Sequence, residues 1–258
     1  MIEPLLETHQ LVKSFGAMMV TASVSVSVLP GEIHALIGPN GAGKTTFIAQ
    51  IAGEIEPDSG KISFDGWDIT SIPVYQRARL GIRRMFQLTS VFRGYSAMDN
   101  LLLAFQAQDG HNFSFWKDGR NDRKLAQSAM SILDQVGISD RAEVQAGALS
   151  HGEQRQLELA MVLAGSPRLL LLDEPTAGMG IKETERMVGL LSTLRGKYSV
   201  LLVEHDMDAV YALADRVTVL VYGRVIASGT VEEIRAHPQV RLAYLGDDEV
   251  EGPNASSQ

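Results

Sequence analysis

The chain has 258 residues, of which 45% are hydrophobic and 21% charged, so it has the composition of a globular protein with a sizeable core. Its net charge of −8 argues against a general nucleic-acid-binding role, because phosphate backbones demand clustered lysine and arginine. The absence of cysteine excludes disulfides, thiolate catalysis and cysteine-ligated metals, and it suits a reducing cytoplasm. We find no secretion signal and no apolar stretch of the roughly 20 residues needed to span a bilayer, so we expect any membrane role to involve a partner.

The first part of the chain alternates between predicted strands and one helix. Period-two alternation over Met18–Val28 predicts a half-buried strand, and the apolar run Ile33–Ile37 predicts a buried one. A glycine-rich loop follows, and then a helix that should stop at Gly53. The segment Lys61–Ile69 has the pattern of a hairpin turning at Asp65-Gly66.

The glycine-rich loop is the strongest single signal in the sequence. Gly38 to Thr45, Gly-Pro-Asn-Gly-Ala-Gly-Lys-Thr, matches the pattern G-x-x-x-x-G-K-[ST] in full. Glycines let a backbone approach a phosphate closely, and the following helix adds the positive end of its dipole. Lys44 can then reach the β- and γ-phosphates, and the Thr45 hydroxyl can ligate Mg²⁺. We assign to nucleotide binding Gly38, Asn40, Gly41, Ala42, Gly43, Lys44, Thr45 and Thr46.

A chance glycine-rich turn is the alternative to this assignment. The match lies between a predicted strand and a predicted helix, which is the context that the motif requires, so we favour the nucleotide site. The loop alone does not say which family of nucleotide hydrolases is present.

The middle of the chain changes to helical periodicity. Apolar residues over Arg123–Val136 recur at helical spacing, and Gly137 follows where a C-terminal cap belongs. We expect a helical insertion from about Leu88 to about Ala164.

The last third returns to strands and helices in alternation. We predict buried strands at Leu169–Leu172, Val200–Val203 and Val217–Val221, separated by helices at Lys182–Arg195 and Met207–Ala214. This alternation predicts an α/β fold with a mostly parallel sheet.

Two acids end the first of these strands. Asp173 should lie beside the phosphate-binding loop, where it can hold Mg²⁺ through water. Glu174 can polarise an attacking water as a general base. A solvated strand end is the alternative, but downstream of a phosphate-binding loop we favour the catalytic interpretation.

A third motif, Leu149-Ser150-His151-Gly152-Glu153-Gln154-Arg155, stands between the loop and the acids. Taken alone, Ser150 and Glu153 form a capping box, as at many helix starts. In its position just upstream of the acidic strand, however, the motif resembles the Leu-Ser-Gly-Gly-Gln signature of ABC-type ATPases. The resemblance covers nearly the whole chain, from Leu5 to Gly246.

This resemblance implies a P-loop ABC cassette with a mostly parallel sheet core, an antiparallel β subdomain and a helical insertion. The corresponding divisions are a nucleotide-binding core with its β subdomain at 1–87 and 165–246, a helical signature subdomain at 88–164 and a loose acidic tail at 247–258. The implied cofactors are ATP and Mg²⁺.

The resemblance also implies roles for single residues. Phe15 stacks on adenine, Gln87 ligates Mg²⁺ and senses the γ-phosphate, and His205 contacts the γ-phosphate. The signature residues that would meet a nucleotide held by a partner are Ser150, Gly152 and Glu153. Singly, Phe15 could be a core residue, Gln87 a surface residue and His205 a strand-end histidine, but the landmarks occur together and in order.

The sequence departs from the family pattern at two places. His151 and Glu153 replace the usual glycine and glutamine of the signature, and Gly180 replaces an aspartate that commonly crosses the dimer interface. These variants, with Glu204-His205-Asp206-Met207 and Tyr244-Leu245-Gly246, resemble the cassettes of branched-chain amino-acid and urea or amide importers.

The partners implied are a second cassette, identical or paralogous, an integral membrane permease and, indirectly, an extracytoplasmic solute-binding protein. We expect no nucleic-acid partner and a place on the cytoplasmic face of the inner membrane. The groove after Gln87 should dock a coupling helix of the permease, with candidate contacts Phe86, Val91, Phe92 and Tyr95.

The sequence leaves the solute and the pairing of cassettes open. An ATPase of a lipid-exporting or lipid-extracting system is the alternative within transporters, and a soluble ABC ATPase is a further one.

Overall fold

The computed structural model describes residues 3–85, 90–107 and 122–242. Predictions made for Phe86, Gln87, Tyr244-Leu245-Gly246 and the tail 247–258 lie outside these ranges. Within them the chain forms two sheets and eight helices, with two short 3₁₀ turns at Ser139–Arg141 and Ala146–Ala148.

The strands, in chain order, are β1 Leu6–Phe15, β2 Met18–Val24, β3 Ser27–Val28, β4 Ile33–Ile37, β5 Ser59–Phe64, β6 Trp67–Asp68, β7 Ile82–Met85, β8 Leu169–Asp173, β9 Ser199–Val203, β10 Arg216–Val221 and β11 Arg224–Gly229. The helices are α1 Lys44–Ala52, α2 Val74–Arg79, α3 Ala97–Gln106, α4 Arg123–Gln135, α5 His151–Ala164, α6 Ile181–Ser192, α7 Met207–Leu213 and α8 Val231–Ala236.

The larger sheet has the order β11-β10-β4-β9-β8-β7, and all its neighbouring pairs are parallel except β10 with β11. Strands β4, β8 and β9 are buried at every position, as their apolar sequences predicted, because both faces are covered. Helices α3 to α6 pack on one face, and α1 with the smaller sheet packs on the other. The carboxyl ends of these strands lie at one edge of the sheet, which brings the loops after β4, β8 and β9 together. The predicted parallel sheet is therefore confirmed.

The smaller sheet is antiparallel, with the order β2-β1-β5-β6 and β3 paired to β1. The prediction of one strand over Met18–Val28 was wrong, because the strand breaks at Ser25 and Val26 and forms two pieces, β2 and β3. The second piece, β3, then pairs with the start of β1 through Leu6 and Val28. The predicted β5–β6 hairpin is present, with positive φ at both Asp65 and Gly66.

The helices follow their predicted positions with small shifts at the ends. α1 ends at Ala52 with Gly53 as its left-handed cap, and α4 ends one residue before the predicted Val136. α6 stops at Ser192 rather than Arg195, because the chain turns there and Gly196 N–H donates to Gly31 O at 3.0 Å. In the helical region, fully buried leucines of α3, α4 and α5 share one core.

Candidate nucleotide site

The phosphate-binding loop joins β4 to α1 and is held by main-chain contacts. A Cβ atom added at Gly38 would lie 2.0 Å from the carbonyl oxygen of Leu220, and one at Gly43 would lie 2.3 Å from that of Val20. Both glycines also have positive φ, 152° and 100°. These positions therefore require glycine for space and for conformation.

A second turn supports the same loop. The N–H of Gly223, between β10 and β11, donates to Ala42 O at 3.0 Å. A Cβ at Gly223 would lie 2.5 Å from Val20 O, the same oxygen that backs Gly43. The loop is thus fixed between β2 and the β10–β11 turn before any ligand is considered.

Lys44 is buried, with only 7% of its surface exposed, and its ammonium lies over the loop. Its Nζ donates to Gly38 O at 2.6 Å and to Pro39 O at 3.0 Å. Burial lowers the pKa of Lys44, and the charges of Glu174 and Asp173 oppose that shift.

Thr45, in the first turn of α1, is exposed, and Thr46 is half-buried. Asn40 and Gly41 lie exposed at the tip of the loop.

The two acids lie where the sequence predicted them. Asp173 ends β8 and is 1% exposed, and its Oδ2 accepts a hydrogen bond from Arg84 Nη2 at 2.9 Å. Its Oδ1 is buried and has no hydrogen-bond partner among the described residues. Glu174 follows in the left-handed conformation (φ 49°), and its Oε1 lies 3.8 Å from His205 Nδ1.

Magnesium is the metal that this kind of site implies, and the residues present fit it. Asp173 offers a buried oxygen without a protein partner, and Thr45 offers a hydroxyl at the helix start. Across the described ranges no three acidic or histidine side chains gather into a metal cluster. Mg²⁺ itself usually keeps several waters and takes other ligands from nucleotide phosphates.

His205 follows β9, and the residue before it has a role that we did not predict. Glu204 is fully buried and accepts hydrogen bonds from Thr176 N at 3.1 Å, Thr176 Oγ1 at 2.6 Å and His205 N at 3.2 Å. Burial raises the pKa of Glu204, although these bonds oppose the shift. Glu204 thus connects the loop after Glu174 to His205, and an acid ending an apolar strand was the available signal.

The signature motif starts α5 with a complete capping box. Ser150 Oγ accepts from Glu153 N at 3.2 Å, and Glu153 Oε2 accepts from Ser150 N at 2.8 Å. Glu153 also accepts from Arg141 Nε at 3.0 Å. The bond from the Ser150 backbone is the main cause that lowers the pKa of Glu153. The capping interpretation of Ser150 and Glu153 is thus confirmed, and their contact with a nucleotide stays a prediction.

The signature also packs against the chain that follows the acids. A Cβ at Gly152 would lie 2.8 Å from Glu183 Oε1, so the start of α5 lies against the first turn of α6. One at Gly178 would lie 3.5 Å from the His151 ring. Gly180 precedes α6, and its N–H donates to Glu183 at 3.3 Å.

Phe15 ends β1 at the hairpin with β2, where it pairs with Met18. Its side chain is 51% exposed, so it is not a core residue, and Lys13 Nζ lies 5.7 Å from the ring centre. The same hairpin supplies the Val20 oxygen behind Gly43. An exposed ring on an element that touches the loop fits a base-stacking role.

Family models match two parts of the chain. Residues 21–177 match the model described as ABC transporter, which is more than half of the chain. Residues 224–250 match the model described as Branched-chain amino acid ATP-binding cassette transporter.

Several relatives match over nearly their full length. The high-affinity branched-chain amino acid transport ATP-binding proteins BraF of Pseudomonas aeruginosa and LivG of Escherichia coli K12 are each 37% identical over 254 residues, 96% of this chain and 100% of theirs. The lipopolysaccharide export system ATP-binding protein LptB of Acidithiobacillus ferridurans is 36% identical over 244 residues, 94% of this chain and 97% of its own.

A solved structure agrees with these matches. The ADP conformation of MJ1267, an ATP-binding cassette of an ABC transporter, superposes with a TM-score of 0.84 at 28% identity, covering 95% of this chain and 99% of that one. The fold is therefore that of a P-loop ATPase. The chain belongs to the ABC transporter family, as an ATP-binding cassette that hydrolyses ATP. No helix in the described ranges has both the length and the apolarity to cross a membrane.

Proposed function

We propose that this chain is the ATP-hydrolysing subunit of an importer for branched-chain or other hydrophobic amino acids. Urea, amides and aromatic acids are related candidate solutes. The observation that carries the proposal is the similarity to branched-chain amino acid transport proteins. BraF and LivG align with this chain over their whole length, and residues 224–250 match the branched-chain family model.

The chemistry that we propose is positioning and charge neutralisation. The loop amides of residues 38–45 and Lys44 hold the phosphates, and Phe15 stacks on the base. Glu174 orients the attacking water, and His205 contacts the γ-phosphate. The Nδ1 of His205 lies 3.8 Å from Oε1 of Glu174. Magnesium, when bound by Thr45, Asp173 and Gln87, supplies neutralisation of phosphate charge.

We further propose that two cassettes act together. The signature residues Ser150, Gly152 and Glu153 would then close on the nucleotide of a second cassette, identical or paralogous. Bound γ-phosphate favours the closed pair and its loss the open one, so hydrolysis becomes motion.

The motion would pass to an integral membrane permease, and the solute would reach the permease from an extracytoplasmic binding protein. Phe92 and Tyr95 are each 53% exposed with their rings 6.1 Å apart, which suits a docking surface after Gln87. The chain would lie on the cytoplasmic face of the inner membrane through this contact.

A lipid-exporting role is the second candidate, and the similarity to LptB favours it. That relative is 36% identical over 94% of this chain, and BraF is 37% identical. Sequence identity therefore does not decide between the two roles. A soluble ABC ATPase is a further alternative.

Uptake in cells tests the proposal directly. Cells that lack this chain would be compared with cells restored by wild type or by Glu174→Gln, using labelled leucine, urea and an aromatic acid. We expect uptake of one solute class to be lost and to be rescued by wild type only. Unchanged uptake of all three, with ATPase activity intact in the purified chain, would contradict import of these solutes and move the proposal to another solute or to the lipid-exporting role.

A further inference from the structure

Arg84, on β7, bridges two acids from different parts of the site. Its Nη2 lies 2.9 Å from Asp173 Oδ2, and its Nη1 lies 2.6 Å from Glu54 Oε2. The side chains of Arg84 and Asp173 are 9% and 1% exposed, so their contact is shielded from water, whereas Glu54 is 29% exposed. Glu54 directly follows the cap of α1, the helix that begins at Lys44. One guanidinium thus connects the far end of the phosphate-loop helix to the acid that ends β8.

The two carboxylate oxygens of Asp173 have different surroundings. Oδ2 accepts from Arg84, whereas Oδ1 is buried without a hydrogen-bond partner among the described residues. Burying an ionised carboxylate costs several kcal/mol unless a charge and hydrogen bonds compensate it. Arg84 supplies that compensation on one side, through a charged hydrogen bond to Oδ2. The other oxygen is left in a defined place for a cation.

The guanidinium suits this task better than an ammonium would. Its planar fork presents donors in two directions at once, so it can pair with two carboxylates in a fixed geometry. A lysine would carry the same charge as a single point on a flexible stem. The bridge therefore depends on shape as well as on charge.

We propose that Arg84 is a positioning residue that presents Asp173 to Mg²⁺ and couples it to α1 through Glu54. The inference rests on the proposed function, since it takes a magnesium nucleotide as the ligand. Removing a residue that hydrogen-bonds to a metal ligand typically lowers metal affinity by about 10- to 100-fold. The loss of Mg²⁺ affinity on removing Arg84 should therefore be measurable.

Binding of methylanthraniloyl-labelled ATP to the purified chain tests this without relying on catalysis. Fluorescence would be recorded in EDTA and then during a Mg²⁺ titration for wild type, Arg84→Met, Arg84→Lys and Glu54→Gln. In Arg84→Met we expect about 10-fold more Mg²⁺ at half-saturation with unchanged binding in EDTA. Arg84→Lys should recover part of the loss, and Glu54→Gln should show a smaller shift because it keeps the bond to Asp173.

The matched control is Arg168→Met. It removes an arginine–aspartate pair of the same length, 2.9 Å to Asp65, in which both side chains are about half exposed. This control should leave the Mg²⁺ titration unchanged. If Arg84→Met fails to fold, as judged by circular dichroism, Arg84→Lys and Glu54→Gln still decide the matter.

The possible failures are distinguishable. Normal wild-type binding with an unshifted titration in the Arg84 and Glu54 variants would overturn the role of Arg84 alone. No binding of the analogue by wild type at any Mg²⁺ concentration would overturn the proposed nucleotide site and this inference with it.

Discussion

The polar groups at the two ends of the parallel strands differ in how they are paired. We call the side with the amino ends of the strands the amino edge and the side with their carboxyl ends the carboxyl edge. At the amino edge, His34 is buried, with Nδ1 3.2 Å from Glu32 Oε1 and Nε2 2.8 Å from Thr218 Oγ1. Thr218 in turn lies 2.8 Å from Ser228 Oγ at the surface. At the carboxyl edge, Asp173 Oδ1 has no hydrogen-bond partner in the part of the chain described.

We interpret the amino ends of these strands as contributing to stability and their carboxyl ends as contributing to function. Burial raises the pKa of Glu32, but bonds from His34 and from Leu29 N–H outweigh it, so the pKa of Glu32 is lowered. At the other edge burial prevails and the pKa of Glu204 is raised. The buried side chains of Glu32 and Thr218 at the amino edge each lie within 3.2 Å of His34. At the carboxyl edge, Asp173 Oδ1 has no hydrogen-bond partner among the described residues, as a ligand site requires.

The largest effect should come from the carboxyl edge, at Glu174. Glu174→Gln should lower the rate of ATP hydrolysis by about 10²- to 10⁴-fold, the usual contribution of a general base. ATP binding should persist, because the loop and Lys44 are untouched. Phosphate release and binding of labelled ATP measure the two effects separately. Glu185→Gln, on the exposed face of α6, is the control, and normal turnover in Glu174→Gln would remove Glu174 from its assigned role.

The next effect concerns the backbone of the phosphate-binding loop. Gly43→Ala would force a Cβ to within 2.3 Å of Val20 O at a φ of 100°. Strain of about 1–3 kcal/mol at this position should weaken ATP binding by about 10- to 100-fold. Titration with labelled ATP checks this, and binding as tight as in wild type would show that the loop can relax.

At the amino edge we expect a change of stability alone. Thr218→Val would remove the partner of His34 Nε2 inside the core, which should lower the free energy of unfolding by about 1–2 kcal/mol. Urea denaturation measures the loss, and the affinity for ATP should stay unchanged. Ser228→Ala, at the exposed end of the same chain of bonds, should cost less than about 0.5 kcal/mol. A weaker affinity for ATP in Thr218→Val would contradict the separation of the two edges.

The smallest effect should be favourable and should lie away from both edges. A Cβ at Gly189, inside α6, would meet no atom within 4 Å. Gly189→Ala should therefore raise the free energy of unfolding by about 0.5–1 kcal/mol by lowering the entropy of the unfolded chain. Urea denaturation and the rate of ATP hydrolysis check this together. Lower stability would show that this face of α6 is more crowded than the structure indicates.

The parts of the site that the sequence predicted are those carried by consecutive residues. The phosphate-binding loop and the pair Asp173 and Glu174 follow buried apolar strands, so local pattern alone places them. The assignments of Gln87 to Mg²⁺ and of residues 88–164 to one subdomain stay predictions.

What the sequence did not reveal depends on contacts between distant residues. Arg84 lies 89 residues from Asp173 along the chain, and Glu204 lies 28 from Thr176. These partners meet only because β7, β8 and β9 are neighbours in the sheet. The strand β7 itself was missed, since its four residues include two arginines and its apolar pattern is weak.

The oxygens of Val20 and Leu220 that back Gly43 and Gly38 belong to the main chain. Every amino acid carries that oxygen, so positions 20 and 220 can exchange one β-forming side chain for another without altering the support of the loop. Sequence drift at these two positions should therefore be silent for nucleotide affinity, and comparison of sequences would not reveal their importance. The constraint that the loop imposes is visible only at the two glycines, while Leu220 is constrained separately by its place in the core.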